Sequence, residues 1–185
     1  QSDIQDIPDS GKITGIVGGQ SGTVLLERGI ARLDYVGSPV IFNVERIETN
    51  NGCEIPSSIV ALGSNAVFYL SPNGFCLFDG NRSNQIGAEK VDRFFYDNLN
   101  PAHHHRTTAA IDPNNQNVLW SFVSNDSSDG EPDKIMVYNY ALGRWSLLEL
   151  AHESLGTILI PGYSLEQLDN INTSIDAMTT SLDSA

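Results

Sequence analysis

Basic residues are scarce in this sequence, and their scarcity limits the partners open to it. The chain has 185 residues, with 10 Lys and Arg against 23 Asp and Glu, and a formal net charge of −13. Affinity for nucleic acid comes largely from cations that displace phosphate counterions, so we expect no tight nucleic-acid binding. The acidic residues are scattered along the chain, which is typical of residues that keep a protein soluble. An acidic surface would also suit the wall of a conduit through which DNA slides without binding.

Cysteine pairs, long apolar runs and an initial methionine are lacking as well. Cys53 and Cys76 are the only cysteines. They could form one long-range disulfide, but the lack of closely spaced cysteine pairs favours two free, buried thiols. No apolar run approaches the roughly 20 residues that a bilayer crossing needs, so we expect no membrane-spanning segment. Because the first residue is Gln1, we expect the sequence to be a piece of a longer chain.

The sequence repeats itself at a spacing of 45 residues. Gly18, Gly29 and Asp34 recur as Gly63, Gly74 and Asp79. A third, looser copy follows, in which residues 117–122 resemble residues 65–70. A polar segment at residues 124–133 lengthens this copy and is typical of a surface insertion. Internal recurrence of this length is typical of proteins built from stacked structural repeats.

Each copy reads as four short strands, rich in Val, Ile, Phe, Tyr and Trp and separated by turn residues. Ser71–Gly74 predicts a tight hairpin in the second copy. The strands predicted for the third copy are Thr107–Ile111, Val118–Val123, Lys134–Tyr140 and Arg144–Leu150.

The predicted fold class is therefore all-β, with repeated four-stranded antiparallel units over residues 11–150. The units span about 11–48, 57–90 and 106–150, and a unit of about 40–50 residues is the size of one β-propeller blade. Three blades cannot close a ring. Either the rest of the ring lies outside this sequence, which we favour, or the units form an open, sandwich-like array.

Two segments interrupt the strand pattern. Residues 91–99 have the apolar spacing of a short amphipathic helix, which we expect between the second and third blades. Residues 151–185 predict a short helix, begun by a capping box at Ser164–Gln167, and a linker that leads to a further segment.

Nothing in the sequence marks a catalytic, cofactor-binding or metal-binding residue, so we expect no enzyme and no cofactor. The run His103–His105 has the wrong spacing for a metal site, because consecutive residues point in different directions. No serine lies in a nucleophile elbow, and the glycines at residues 15–19 lack the lysine of a phosphate loop. Arg28, Arg32, Arg46 and Arg93 are expected to join blades through carboxylates.

Several motifs together resemble a family of tailed-phage and prophage virion proteins found near tail and connector genes. The motifs are residues 35–39, 52–60, 69–75, 78–80, 91–95, 137–140, 144–146 and 161–169. The resemblance implies a β-propeller-containing tail nozzle or hub component, a structural virion protein without catalysis. It implies localisation in the virion tail after assembly in the host cytoplasm. It also implies partners: other copies in a ring, and neighbouring tail or adaptor proteins.

In short-tailed phages such proteins gate the channel used in DNA ejection, although complete nozzle chains are several-fold longer than this sequence. Two other functions stay open. A receptor- or fibre-binding propeller module of the tail should display an exposed aromatic platform if it binds carbohydrate. An enzyme on a propeller scaffold should display a deep pocket with two converging carboxylates.

Overall fold

A computed structural model describes residues 7, 10–38, 40–64 and 66–157. It contains three four-stranded antiparallel sheets and few helices, which confirms the all-β prediction. The first sheet consists of β1 (Ile13–Val17), β2 (Gly22–Leu26), β3 (Ile30–Tyr35) and β4 (Phe42–Glu48). The second consists of β5 (Val60–Leu62), β6 (Ala66–Ser71), β7 (Gly74–Phe78) and β8 (Ser83–Gln85). The third consists of β9 (Thr108–Asp112), β10 (Asn117–Phe122), β11 (Lys134–Asn139) and β12 (Arg144–Glu149).

Within every sheet the strands lie side by side in chain order, joined by hairpin connections. A helix, α1 (Asp92–Asn98), and 3-10 turns at Pro101–Arg106 occupy the connection between the second and third sheets. Pro56–Ser58 forms a further 3-10 turn before β5. The helix predicted near Ser164 lies outside the described residues. Within the described part of the chain, no helix has both the length and the apolarity that crossing a membrane demands.

The recurring glycines occupy equivalent places in the first two sheets, but they are needed for different reasons. Gly18 and Gly63 directly follow the first strands, and Gly29 and Gly74 stand at the start of the third strands. Gly74 has a φ of +129°, a backbone angle that residues other than glycine rarely adopt. At Gly29 a side chain would collide with the backbone oxygen of Glu48. The 45-residue spacing therefore identifies equivalent positions, not equivalent conformations.

Two apolar cores hold the sheets together, one on each face of the second sheet. Strand alternation sends Val67 and Tyr69 toward the first sheet, and Phe68 and Leu70 toward the third. The core between the first and second sheets contains Leu25, Ile30, Cys53, Val67, Tyr69, Cys76 and Phe78. The core between the second and third sheets contains Phe68, Leu70, Phe75, Phe95, Val118, Trp120, Phe122 and Met136 among others.

Both cysteines are buried in the first of these cores as free thiols. Burial raises the pKa of the Cys53 thiol and of the Cys76 thiol. Since the thiolate is the reactive form, these side chains behave as small apolar residues.

Helix α1 joins the second sheet to the third through one buried ring. Phe95 is fully buried, with its ring centroid 4.9 Å from those of Phe75 and Phe122. Asp92, in the first turn, accepts a hydrogen bond from Phe75 N at 3.1 Å. Its carboxylate fills the space where Gly74 and Gly87 would otherwise carry a Cβ. The other oxygen, Oδ2, is buried without a hydrogen-bond partner among the described residues.

The free energy of unfolding should therefore depend on the charge of Asp92. Burial raises the pKa of Asp92 in the folded chain, so the folded state prefers the protonated carboxyl. The stabilisation that this preference gives is fully present below the unfolded pKa and is lost as pH rises through the folded pKa. The amide side chain of an Asp92→Asn variant cannot titrate. The stability of this variant relative to the parent should therefore rise between about pH 3 and pH 7, measured by urea denaturation at a series of pH values.

Asp112→Asn provides the contrasting control. Hydrogen bonds from the Asn115 side chain and the backbone lower the pKa of Asp112. Its contribution is therefore present above the unfolded pKa, and Asp112→Asn should lose stability relative to the parent as pH rises. Equal pH slopes for the Asp92→Asn variant and the parent would contradict the first prediction.

Candidate functional site

The histidine run lies at the edge of the second-to-third connection. Pro101–Arg106 forms 3-10 turns broken at His103, where φ is −119° and ψ is 15°. The His103 ring packs against Gly130, and His104 Nδ1 lies 2.9 Å from Pro101 O. Among the described residues, no group of three or more His, Cys, Asp or Glu side chains is placed to hold a metal ion. That His103–His105 bind no metal stays a prediction.

A serine and a histidine that the sequence reasoning missed meet on the third sheet. Ser121 Oγ lies 2.6 Å from His152 Nε2, and His152 Nδ1 lies 2.7 Å from Leu150 O. A carbonyl oxygen only accepts, so Nδ1 carries the proton in the neutral ring and Ser121 donates to Nε2. This is the polarity of a nucleophile and its base, but Ser121 is 0% exposed on an inner strand. The pair fastens the segment after β12 to the sheet.

Two of the four arginines, Arg32 and Arg93, do not join the sheets through carboxylates as expected. Arg32 pairs with Asp34 at 2.9 Å and with Glu45 at 2.6 Å, both in its own sheet. Arg93 pairs with Asp97 within α1. The expectation of ion pairs between blades is therefore wrong for these two. Arg32 also donates to Asn81 Oδ1 of the second unit at 3.2 Å, where the acceptor is an amide oxygen and not a carboxylate.

A cleft of about 720 Å³ opens between the second and third units, and we call it the inter-sheet cleft. Its volume falls within the range typical of ligand sites. Three segments far apart in sequence meet there: the connection before β5, the β6–β7 hairpin and the region from α1 to the loop after β10. Its lining residues are Glu54, Ile55, Leu70, Ser71, Pro72, Tyr96, Leu99, Pro101, His104 and Asn125.

Tyr96 is the aromatic side chain of the inter-sheet cleft. Its hydroxyl donates to Ser71 O at 2.6 Å, which fixes the ring against the β6–β7 hairpin. Burial raises the pKa of Tyr96, and the nearby carboxylates of Asp92 and Glu54 act in the same direction. The residue as a whole remains 39% exposed. It therefore offers an apolar surface on a rigid support.

The polar side chains around the cleft leave acceptors unused. Asn125 donates one Nδ2 hydrogen to Asp97 O at 3.1 Å, and its Oδ1 accepts no hydrogen bond from the described residues. His104 Nδ1 faces a carbonyl, so Nε2 of the neutral ring is an acceptor. The exposed Glu54 carboxylate has no hydrogen bond or ion pair within the described residues. The cleft thus combines apolar walls with acceptor atoms and one carboxylate.

A second surface is the outer face of the first sheet, on the side away from the second sheet. The register places Ile16 beside Val24, and Tyr35 beside Phe42, on that side. Ile16 is 67% exposed and Tyr35 is 74% exposed. We define the first-sheet outer face by its exposed members Ile13, Ile16, Tyr35 and Phe42.

Exposed apolar side chains are unevenly distributed among the sheets. The third sheet has several on and after its last strand: Leu147, Leu148 and Leu150. The described strands of the second sheet expose no large apolar side chain. The middle sheet is covered on both faces by its neighbours. The first sheet also buries Val24, Leu26 and Ala31 on its outer face, where Ile7 packs against them, so that face is partly covered and partly exposed.

Two of the motifs on which the expected resemblance to virion proteins rests lie in the scaffold, and the motif at residues 161–169 lies outside the described residues. Residues 69–75 form the β6–β7 hairpin, and residues 91–95 lead into α1. No protein-family model matches the chain, and no curated protein matches it. Fold and surface properties are therefore the grounds on which a function can be proposed.

Proposed function

We propose that the chain is a β-propeller section of the tail nozzle or hub of a tailed-phage virion, a structural component without catalysis. The observation that supports this most is the distribution of exposed apolar residues, which are absent from the described strands of the middle sheet and present on both terminal sheets. A sheet in a propeller is covered on both faces by neighbouring blades. In a ring, further blades would cover the apolar side chains that the terminal sheets leave exposed.

The way the sheets meet also supports a propeller. In a propeller, the first strands of the blades converge on the central axis. Here β5 lies against β9, and a side chain at Gly15 of β1 would collide with Ile59, next to β5. The absence of a side chain at Gly15 allows this close approach.

The charge is consistent with a place along a DNA path. With a net charge of −13, the chain repels the phosphate backbone, so DNA would slide past it during ejection without binding tightly. The partners would be other copies in a ring and neighbouring tail or adaptor proteins. The assembled protein would reside in the virion tail.

Locating the chain in intact particles tests this function. An antibody fragment directed against the exposed β11–β12 turn, around Leu142, should appear on the particle axis below the head in electron micrographs. Labelling at the tips of fibres would refute the nozzle proposal and support a receptor- or fibre-binding module. The partly exposed Tyr96 ring in the inter-sheet cleft favours that alternative, because an aromatic surface suits carbohydrate recognition.

No enzyme is proposed, because the cleft lacks the arrangement that hydrolysis requires. Glu54 is the single acid among the described residues that line the cleft. A glycoside hydrolase of the usual kind needs a second carboxylate facing the first.

The first-sheet outer face should be essential for assembly if it meets another blade. We expect the Ile16→Glu/Phe42→Glu variant to fold but to enter particles at least about tenfold less than the parent, because burying unpaired carboxylates is costly. Particle content can be measured by quantitative immunoblotting of purified virions, and folding by circular dichroism.

Leu142→Glu is the matched control, since Leu142 is about as exposed as Ile16 but lies in a turn of the third sheet. It should enter particles like the parent. Normal incorporation of the Ile16→Glu/Phe42→Glu variant would show that the face stays open to solvent in the assembly.

A further inference from the structure

We propose that the inter-sheet cleft binds a basic side chain, arginine or lysine, presented by a partner protein. The proposal rests on the cleft alone and applies equally to a nozzle section and to a receptor- or fibre-binding module. Its basis is the combination of an unpaired carboxylate, apolar walls and an exposed tyrosine ring within one cavity.

Three side chains of the cleft offer an acceptor that has no partner among the described residues. Glu54 contributes a carboxylate, His104 contributes Nε2 of the neutral ring, and Asn125 contributes Oδ1. No Lys or Arg is among the described lining residues. A ligand that carries several donors and a positive charge complements this set, whereas an anion or a nucleic-acid phosphate is disfavoured.

The walls suit the aliphatic part of a long basic side chain. Ile55, Leu70 and Leu99 provide apolar surface, and the Tyr96 ring provides a face for a cation. Lysine and arginine bury their methylene groups against apolar surface while the charged head reaches a polar partner. A guanidinium or ammonium group over a tyrosine ring gains further cation–π attraction.

The number of charges and the volume favour a protein as the source of the cation. One carboxylate matches one positive charge, so the further charges of a polyamine would lie unmatched against apolar walls. The cavity of about 720 Å³ is far larger than a single side chain, so residues flanking the basic one have room as well. The acidic chain would attract a basic partner segment over a distance.

Binding of Nα-acetyl-arginine amide tests the proposal, with its uncharged isostere Nα-acetyl-citrulline amide as the paired probe. We expect saturable NMR shifts centred on Tyr96, Leu99 and His104 at pH 7, with dissociation constants of roughly millimolar size. Citrulline amide should bind at least about fivefold more weakly, because it keeps N–H donors but has no positive charge to pair with Glu54.

Variants at two exposed glutamates complete the experiment. Glu54→Gln should weaken arginine-amide binding by about the same factor, whereas Glu153→Gln, which lies outside the cleft, should leave it unchanged. Equal binding of the two probes, an unchanged Glu54→Gln variant, or shifts that do not saturate would each overturn the proposal. Tighter saturation by methyl glucoside would assign the cleft to carbohydrate, and tighter saturation by spermidine would exclude a protein side chain as its preferred ligand.

Discussion

Replacing Trp120 by alanine should lower the free energy of unfolding by about 3–5 kcal/mol. Trp120 is 0% exposed, and its ring contacts Phe75, Phe68 and Trp145 with centroid distances of 4.8, 6.4 and 5.7 Å. The substitution removes these contacts and leaves a cavity in the core between the second and third sheets. It also removes the donor to Ser58 O, a hydrogen bond of 3.2 Å in a buried position.

Urea denaturation followed by circular dichroism would measure the loss, with two variants for comparison. Trp120→Phe keeps most of the ring volume and should cost less than the alanine variant. Leu142→Ala, at a side chain that is 69% exposed, should change stability by less than about 0.5 kcal/mol. A loss below about 1 kcal/mol for Trp120→Ala would mean that the two sheets are not coupled through this core.

Gly52→Ala should cost about 1–3 kcal/mol or more, although it adds a single methyl group. A Cβ at Gly52 would overlap backbone atoms of Leu26, Glu27 and Arg28 in the β2–β3 turn. The next residue, Cys53, donates its N–H to Leu26 O at 2.8 Å, so the connection cannot move away without losing that bond. The penalty is steric and arises from backbone, which has little freedom to adjust.

Gly18→Ala is the matched control, because a Cβ there would meet no atom within 4 Å. Both substitutions reduce the entropy of the unfolded chain equally, so their difference isolates the steric contribution. Gly18→Ala should be neutral or slightly stabilising in thermal denaturation, and Gly52→Ala strongly destabilising. Similar melting temperatures for the two variants would show that the connection after β4 is not packed against the turn.

Strand positions could be predicted because apolar alternation and turn residues are local signals. Ser71–Gly74 forms the tight hairpin predicted for it, and Asp112 caps the loop before β10 by accepting from Asn114 N and Asn115 N. The short strand β8 has a weak signal in the sequence, since Ser83–Gln85 is polar and is paired with β7 alone among the described strands. Its strand conformation comes from the tertiary structure, which outweighs local propensity.

The inter-sheet cleft could not be predicted, because its parts are brought together by packing. Glu54 and Asn125 are far apart in sequence, and neither has a local signal for binding. The same holds for Ser121 and His152, which meet only because the chain folds back after β12. The histidine run attracted attention in the sequence, yet only His104 lines the cleft. Residue type and local spacing do not show which side chains will face each other.

The order of strands in the sheets has a consequence for synthesis on the ribosome. Every ladder joins strands adjacent in sequence, so each sheet can pair completely once its own segment has emerged. Short-range pairing of this kind keeps the entropy lost in loop closure small, which favours rapid folding. Each newly paired sheet then presents an apolar face to the one emerging behind it. The nascent chain can therefore fold in sequence, from its N-terminal sheet onward, without waiting for a distant strand.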